Sequence, residues 1–202
     1  MRVGLTGGIG SGKSAVAEML HEHGARIIDT DRLSREAVAP RSEVLAGIAK
    51  RWPRALASDG TLDRKAMAEI VFSDPEARKT LNALLHPRIR ELAFAEAARA
   101  RPGEVVVFVV PLLFESDFYR LCDVTVAVTA PAEQRLQRVV ARDAVSAEHA
   151  RARMLAQIDP EEARRRADCV IENDGTLEQL RARVAELWQR LSAAARDRDA
   201  PR

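Results

Sequence analysis

Short apolar segments alternate along this chain with longer segments of helical periodicity. Apolar runs of this kind, rich in β-branched residues and separated by helices, are typical of a parallel sheet that is covered on both faces. The pattern therefore predicts an α/β fold built on five parallel strands. The predicted strands are Arg2–Thr6, Arg26–Asp29, Glu104–Val110, Val124–Val128 and Cys169–Glu172.

The helical segments are distributed unevenly between these strands. A long, mostly helical stretch lies between residues 31 and 103, and we interpret it as a lobe inserted between the second and third strands. A second insert, residues 131–166, is helical and rich in Arg, and Ser146 is a favourable residue to cap its second helix. In the first insert, Pro and Gly punctuate the helices at Pro40, Pro53, Asp59-Gly60, Pro75 and Pro87.

The last apolar pattern in the chain also has helical periodicity. Between Thr176 and Leu191, apolar residues recur at the spacing of an amphipathic helix. Thr176 followed by Gln179 forms the pattern of a capping box at the start of this helix. The remaining segment, Ala193–Arg202, is polar and highly charged, so we expect it to fray.

Composition limits the classes of function. The chain has 202 residues, enough for one domain with inserted lobes, and 47% of them are hydrophobic. Its 32 Lys+Arg are nearly balanced by 30 Asp+Glu and aromatics make up 4%, which argues against a nucleic-acid-binding surface. We find neither an apolar run long enough for a membrane span nor the apolar core of a signal peptide. Cys122 and Cys169 form no C-x-x-C motif, which favours reduced core thiols in a cytoplasmic protein.

A phosphate-binding motif follows the first strand. Residues 7–14, Gly-Gly-Ile-Gly-Ser-Gly-Lys-Ser, match the P-loop pattern G-x-x-x-x-G-K-[ST], and a helical pattern follows directly. Lysine is rare among the basic residues of this Arg-rich chain, so a Lys at the required position is not a consequence of composition. The sequence therefore predicts a loop that binds a nucleotide polyphosphate; the alternative is a glycine-rich turn that binds nothing.

The residue types of this loop suit that chemistry. Glycine lets the backbone wrap closely around phosphate, and the N–H groups of the loop and of the following helix attract the anion. Lys13 can reach the β- and γ-phosphates, and the Ser14 hydroxyl is a ligand for the Mg²⁺ that accompanies ATP. The predicted ATP-binding residues here are Gly8, Ile9, Gly10, Ser11, Gly12, Lys13, Ser14 and Ala15.

Two acidic residues lie at the end of the second strand, at the edge where ligands of open α/β sheets bind. Asp29 and Asp31 would point in the same direction if the backbone were still extended there. One carboxylate could then take a proton from an attacking hydroxyl, while the other orients water or Mg²⁺. The alternative is that Asp31 only caps the helix that follows. The residues alone leave both interpretations open.

Other positions carry side chains that suit phosphoryl transfer. Arg142 ends a predicted helix that also holds Arg135 and Arg138, and guanidinium groups match the charge on the transferring oxygens. In so Arg-rich a chain, composition alone favours a solvated surface position for each of the three. Glu115 either holds Mg²⁺ through water or lies at the rim of the site. His86 by itself is more typical of a structural histidine.

Taken in order, these motifs resemble those of the dephospho-CoA kinases. The resemblance covers about residues 1–190, and the ordered combination is far more specific than the P-loop alone. Two departures are present: Ala15 stands where the family usually has Thr, and the segment 158–162 is less similar. The motifs are Gly4–Ser14, Asp29–Asp31, Asn82–Pro87, Pro111–Glu115, Arg142-Asp143 and Ala167–Gly175.

The resemblance implies a fold, a reaction and partners. The implied fold is the P-loop NTPase three-layer sandwich, with a five-stranded parallel sheet, a helical substrate lobe and a lid. The reaction would transfer the γ-phosphoryl group of ATP, with Mg²⁺, to the 3′-hydroxyl of the ribose of dephospho-CoA, giving CoA and ADP. The expected partners are these two substrates, without nucleic acid or membrane, in the cytoplasm; the oligomeric state is left open. The implied parts are a core of residues 1–31, 102–130 and 167–192, an acceptor-binding lobe of residues 32–101 and a lid of residues 131–166.

The resemblance also implies roles for individual residues. Asp31 matches the proposed general base, Lys13 the phosphate-binding lysine and Arg142 the arginine of the lid. Asn173 and Gly175 are expected near the base of ATP. The residues expected to bind the acceptor are Asp31, His86, Pro111, Leu112, Leu113 and Glu115.

Two other functions are compatible with the motifs. Another nucleotide or small-molecule kinase of the P-loop class would share the loop and the lid, and acceptor profiling separates it from the first. A nucleotide-binding module without kinase activity would bind ATP and phosphorylate nothing. The Asp31 site and the two inserts favour an enzyme, because phosphoryl transfer must exclude water. The absence of D-x-x-G and N-K-x-D argues against a GTP-driven switch.

Overall fold

The sheet predicted from the apolar segments is present. The structure, a computed structural model, describes residues 1–155, 157 and 160–199. Within these residues, five strands form one parallel sheet in the order β2-β3-β1-β4-β5, which confirms the α/β class. The strands are β1 (Arg2–Thr6), β2 (Arg26–Asp29), β3 (Val106–Val109), β4 (Val124–Thr129) and β5 (Cys169–Glu172).

The chain divides into two compact units, residues 1–29 with 99–202, and residues 30–98. In the described part of the chain, no helix is long and apolar enough to cross a membrane. The first unit holds the sheet and the helices α1 (Lys13–Glu22), α6 (Ala132–Asp143), α7 (Ala147–Leu155), α8 (Pro160–Arg166) and α9 (Leu177–Asp199). The second holds α2 (Thr30–Ala37), α3 (Glu43–Arg51), α4 (Arg64–Ser73) and α5 (Pro75–Ala97). The finer division into core, lobe and lid stays a prediction.

Helices α1 and α9 bury one face of the sheet. Val3 of β1 is completely buried in a cluster with Leu20 of α1 and Leu187 of α9. Because side chains alternate along a strand, the residues between the cluster members face the opposite side. There Phe108 of β3 meets Phe118 edge to face, with ring centroids 5.3 Å apart. The sheet is therefore covered on both faces, as its uninterrupted apolar strands require.

The parallel register brings three strand ends to one edge of the sheet. Leu5 at the end of β1 pairs with Val109 of β3, and Thr6 pairs with Ala127 of β4. The loops that follow β1, β3 and β4 therefore begin side by side. This is the edge at which open α/β sheets bind their ligands.

The second unit has its own apolar core. Ile48 of α3, Met67 of α4 and Ala77 of α5 are buried in one cluster. The interpretation of Pro87 as a boundary between helices is wrong, because Pro87 lies inside α5, which continues to Ala97. A proline inside a helix removes one backbone hydrogen bond, and the packing of α5 against α2, α3 and α4 offsets that loss.

Two predicted helix starts are confirmed by hydrogen bonds. The Ser146 hydroxyl accepts from the His149 N–H at 3.2 Å, which caps α7. At the start of α9, the Thr176 N–H donates to Gln179 Oε1 at 2.8 Å and the Gln179 N–H donates to the Thr176 hydroxyl at 3.2 Å. This reciprocal pair is a capping box, so the local sequence fixes where α9 begins.

The predicted fraying of the segment after Ala193 is wrong for the residues that the structure describes. Helix α9 continues to Asp199, and residues 200–202 lie outside the described part. Ala195 is 1% exposed in the cluster beneath the sheet. Arg198 forms an ion pair with Asp123, with a nitrogen–oxygen distance of 3.1 Å. These contacts with distant residues hold the last turns, although their sequence is polar.

Candidate active site

The loop between β1 and α1 has the backbone conformation of a phosphate-binding loop. Gly10 and Gly12 have φ angles of +77° and +95°, a region that residues with side chains rarely adopt. A Cβ on Gly10 would lie 2.5 Å from the backbone oxygen of Arg135, and one on Gly12 would collide with the Asn173 amide. Helix α1 begins at Lys13 with no side-chain cap and no acidic residue in its first turn. Its amino end is therefore suited to an anionic ligand.

Three side chains from other parts of the chain donate hydrogen bonds to three successive carbonyl groups of this loop. In a trans peptide the C=O and the following N–H point in opposite directions, so holding the carbonyls also fixes the direction of the next amides. Such preorganised amides form the anion-binding cradle of a P-loop. The bonds are Arg135 Nε to Ile9 O at 3.0 Å, Arg138 Nη1 to Gly10 O at 3.3 Å and Asn173 Nδ2 to Ser11 O at 2.8 Å.

A narrow pocket opens beside the first residues of the loop. It lies at the carboxyl ends of β1, β3 and β4, and Gln157 and Arg135 reach into it from the second insert. The Ile9 N–H donates to Gln157 Oε1 at 2.7 Å. Among the described residues, the buried Ser11 hydroxyl has no hydrogen-bond partner. The residues around this space include Thr6, Gly8, Ser11, Pro111, Thr129 and Arg135.

Lys13, Ser14 and Ala15 begin α1, as the motif predicts. Lys13 is half-buried, and Ser14 is exposed, so its hydroxyl is accessible to a metal ion. Ala15 packs against the core cluster, which leaves its backbone as the part available to a nucleotide. The departure from the family pattern at this position therefore replaces a side chain that faces the core.

Arg142 is held by the residue next to it. Its Nε and Nη2 donate to the two carboxylate oxygens of Asp143 at 2.7 and 3.1 Å. Arg153 donates to the same carboxylate at 3.1 Å. The hydrogen bond from Arg142 and the charge of both guanidinium groups lower the pKa of the Asp143 carboxyl. The Arg142 side chain is 63% exposed, so its ion pair is screened by water and can be exchanged for another anion.

The loop after β3 carries the residues predicted to bind the acceptor. The Thr6 hydroxyl donates to the Pro111 carbonyl at 3.2 Å, which joins this loop to the end of β1. Leu112 and Glu115 are exposed, whereas Leu113 is completely buried against Gly4. Leu112 and Glu115 can thus meet an acceptor directly, and Leu113 supports the loop from beneath.

Helix α8 is attached to the same loop by an arginine that the sequence analysis did not single out. The Arg166 guanidinium lies 4.7 Å from the centroid of the Phe114 ring and 5.2 Å from that of Tyr119. It also donates to the Phe114 carbonyl at 3.3 Å. Cation–π contacts of this kind fix the loop against the helix that follows Gln157.

Asp31 and His86 belong to the second unit. The premise that the backbone is extended from Asp29 to Asp31 is wrong, because α2 begins at Thr30 and Asp31 lies in its first turn. An acidic side chain there also suits the helix dipole, so the capping alternative keeps a physical basis. His86 lies half-buried inside α5, where burial, and then the charge of Arg90, lower its pKa.

Asn173 and Gly175 lie where β5 passes into α9. Asn173 is 8% exposed and supports the phosphate loop through its bond to Ser11. A Cβ on Gly175 would collide with the Gln179 side chain, which is fixed by the capping box. The contact of these residues with the base of ATP stays a prediction. The segment 158–162 is described only from Pro160 onward, and Ile158 and Asp159 lie outside the described residues.

Sequence reasoning missed two residues of the pocket. Arg135 is 4% exposed, although composition favours a solvated position for it. One available signal was its spacing: Arg135 precedes Val139 by four residues and therefore lies on the buried stripe of α6. Gln157 has no comparable signal, because its contact with Ile9 joins residues 148 positions apart.

The fold and the phosphate loop define the class of this protein. A shikimate kinase from Acinetobacter baumannii superposes with a TM-score of 0.54 at 17% identity, over 96% of this chain and 93% of that chain. At this identity the likeness concerns the fold alone, and it places the chain in the P-loop kinase fold.

Closer relatives define the family. The family profile described as dephospho-CoA kinase matches residues 1–179. A dephospho-CoA kinase from Moorella thermoacetica is 48% identical over 203 residues, covering 98% of this chain and 96% of the relative. The structure of a dephospho-CoA kinase from Campylobacter jejuni matches with a TM-score of 0.71 at 28% identity, over 96% of this chain and 98% of that chain. The chain belongs to the dephospho-CoA kinase family, which confirms the resemblance drawn from its motifs.

Proposed function

We propose that this chain transfers the γ-phosphoryl group of ATP to the 3′-hydroxyl of the ribose of dephospho-CoA, giving CoA and ADP. The observation that carries the proposal is the phosphate loop, with three carbonyl groups held from outside, in a chain of this family. The ordered motifs around it support the same reaction. We further propose that the reaction takes place in the cytoplasm, without nucleic acid or membrane.

The loop binds the polyphosphate and Lys13 extends toward the β- and γ-phosphates. Mg²⁺ fits the side chains offered here. In a kinase, Mg²⁺ is bound by one or two protein oxygens together with phosphates and water. A Mg²⁺ site of this kind needs no cluster of metal-binding side chains, and the described residues contain none. The exposed Ser14 hydroxyl is the proposed ligand. When bound, Mg²⁺ neutralises charge on the β- and γ-phosphates.

Asp31 aligns the acceptor hydroxyl and takes its proton. The hydroxyl oxygen forms a bond to the γ-phosphorus as the bond from that phosphorus to the β–γ bridging oxygen breaks, so ADP leaves with the electron pair. Arg142 exchanges Asp143 for the transferring phosphoryl group, while Arg153 continues to neutralise the Asp143 carboxylate. His86, Pro111, Leu112, Leu113 and Glu115 form the acceptor side of the site.

A product assay tests the reaction and the substrate together. Purified protein with ATP, Mg²⁺ and dephospho-CoA should yield an acceptor heavier by one phosphate, identified by mass spectrometry. Lys13→Ala should abolish this product, and the matched variant Lys50→Ala, on an exposed face of α3, should keep it. Formation of ADP without a phosphorylated acceptor would instead favour another small-molecule kinase, to be found by acceptor profiling. Nucleotide binding without turnover would favour the non-catalytic module.

Replacing Asp31 tests the general base. Asp31→Asn should keep ATP binding and lower kcat by about 10²- to 10⁴-fold, the usual contribution of general acid–base catalysis. Steady-state kinetics and ATP titration of the same preparation give both quantities. Asp29→Asn is the matched control two residues away, and it should lose far less. Near-normal turnover of Asp31→Asn would remove Asp31 from this role and leave the helix-capping interpretation.

A further inference from the structure

Arg135 is a buried cation without a counter-charge. The residue is 4% exposed, and burial is the cause that lowers the pKa of its guanidinium. Arginine still keeps its proton, because its ordinary pKa is above about 12. Among the residues that the structure describes, no carboxylate forms an ion pair with it. A buried charge of this kind is costly unless an anion is bound beside it.

The position of the guanidinium leaves two of its nitrogens for such an anion. Nε donates to the Ile9 carbonyl at 3.0 Å, and in the described part of the chain it is the one guanidinium nitrogen with a hydrogen-bond partner. Nη2 lies against Gly8, where an added Cβ would be only 2.5 Å away. Nη1 and Nη2 thus remain beside the pocket, and glycine at position 8 makes room for them.

Two further polar groups, the Ser11 hydroxyl in the pocket and the Ile9 N–H beside it, indicate an oxygen-rich ligand. The Ser11 hydroxyl is buried, since the residue is 1% exposed, and it has no partner among the described residues. The Ile9 N–H donates to Gln157 Oε1 at 2.7 Å, so one oxygen already stands where a phosphate oxygen could accept the same bond. A cation and a hydroxyl that line one pocket, with the Ile9 amide bonded to a third lining residue, match a phosphoryl group.

The order of residues along the loop tells which phosphate belongs there. The α- and β-phosphates lie near the helix amino end, at Gly12 to Ser14. The pocket is lined instead by the start of the loop, Gly7 and Gly8, and by the strand ends at Pro111 and Thr129. It therefore lies on the side of the terminal phosphate, where the acceptor oxygen must also approach.

We propose that Arg135 is a further catalytic residue, whose Nη1 and Nη2 bind the γ-phosphoryl group of ATP together with the Ser11 hydroxyl. This proposal rests on the proposed kinase function. It gives the transferring group a fixed guanidinium inside the pocket, in addition to the exposed Arg142. Positioned charges of this kind stabilise the phosphoryl group during transfer without reorganisation. Arg135 also holds the loop through its Nε, so a test must separate the two contributions.

A comparison of ATP-analogue binding with ADP binding separates the contact with the γ-phosphate from the support of the loop. Arg135→Gln should weaken binding of the β,γ-imido analogue of ATP by about 10- to 100-fold, the range for a lost hydrogen bond to a charged group. ADP has no γ-phosphate, so its Kd should rise by a smaller factor, and only through the lost hydrogen bond from Nε to the Ile9 carbonyl. Isothermal titration with Mg²⁺ gives both values without any acceptor. Arg151→Gln, on an exposed face of α7, is the matched control and should leave both Kd values unchanged.

Other outcomes would overturn the proposal. Equal losses for ADP and for the ATP analogue would mean that Arg135 only positions the loop through Ile9, and no loss for either would mean that it has no role. If Arg135→Gln does not fold, Arg135→Lys keeps a cation but loses the guanidinium fork, so it should weaken binding of the ATP analogue more than binding of ADP, by a smaller factor. Equal losses for the two nucleotides in that variant would also reject the proposal. A failure of dephospho-CoA phosphorylation would be seen in the product assay and would not alter this binding ratio.

Discussion

Gly12 is required by two separate physical causes at one position. Its φ of +95° strains any side chain, and the Asn173 amide occupies the space that a Cβ would need. Gly103 has a similar φ of +74°, and apart from its chain neighbours no atom of the described residues lies within 4 Å of its added Cβ. The pair Gly12 and Gly103 therefore separates the backbone cost from the steric one.

Gly12→Ala should reduce ADP affinity by at least about tenfold, because the loop must shift away from Asn173 and lose its converging amides. Gly103→Ala should lower the free energy of unfolding by about 1 kcal/mol and leave ADP affinity unchanged. Calorimetric titration measures the first quantity and urea unfolding the second. Wild-type ADP affinity in Gly12→Ala would contradict the tight fit of Asn173 against the loop.

His86 makes stability depend on pH in a defined direction. Burial, and then Arg90, lower its pKa in the folded protein, so the unfolded chain binds a proton more readily. The contribution of His86 to the free energy of unfolding is therefore fully present above its unfolded pKa of about 6.5. It is lost as pH falls toward the pKa of His86 in the folded protein. Because His86 is a single titrating group, it can change the free energy of unfolding by at most about 1.4 kcal/mol per pH unit.

The expected result is a free energy of unfolding that falls between pH 7.5 and pH 5.5 in the wild type, and falls less steeply in His86→Asn. Urea unfolding at both pH values measures the difference between the two proteins. An identical pH dependence in both would exclude His86 as a source of it. Other titrating groups contribute equally to both proteins, because the substitution leaves them in place.

Among the helices, α9 has an end that local sequence does not determine. Ala193 is exposed and Ala195 is 1% exposed, although both stand in the same charged segment. The contacts that hold these turns come from the sheet cluster and from Asp123, far away in the sequence. Fraying was the natural expectation from composition, and long-range packing overrides it.

A charge placed at either alanine tests this arrangement. Ala195→Asp should lower the free energy of unfolding by at least about 2 kcal/mol, because it buries a carboxylate in an apolar cluster. Ala193→Asp should change it by less than about 0.5 kcal/mol, as is usual at the surface. Urea unfolding with circular dichroism measures both. Equal, small effects would mean that the last turns of α9 are not packed in solution.

Helix α6 marks the limit of sequence reasoning about the site. Its helical character and its arginines followed from the sequence, and so did the phosphate loop that it supports. Composition favours a solvated Arg135, although its spacing from Val139 indicates the buried stripe of α6. Its contact with Ile9, 126 positions away, has no local signal. The assumption of an extended backbone from Asp29 to Asp31 was wrong for a more local reason, because α2 already begins at Thr30. The catalytic role of Asp31 stays a prediction.

Across the whole molecule, the apolar pattern predicted the sheet because buried parallel strands leave continuous apolar runs. The strand order β2-β3-β1-β4-β5 leaves no local signal in the sequence, because it is set by pairing between strands that are distant in the chain. The motif could be recognised because phosphate binding requires fixed residue types at fixed spacing. Its surroundings, such as Gln157 and Asn173, are fixed only by tertiary contacts.

Nucleotide binding should stabilise the molecule as a whole. A ligand that binds only the folded state adds about 2.7 kcal/mol at a concentration 100 times its Kd. For a chain of this length, that corresponds to a rise in Tm of about 5–10 °C. Lys13→Ala should lose most of this rise, whereas Lys50→Ala, exposed on α3, should keep it. Thermal unfolding with and without ATP and Mg²⁺ measures the shift. A similar rise in Lys13→Ala would mean that ATP stabilises the protein without the phosphate loop, and would contradict the site described above.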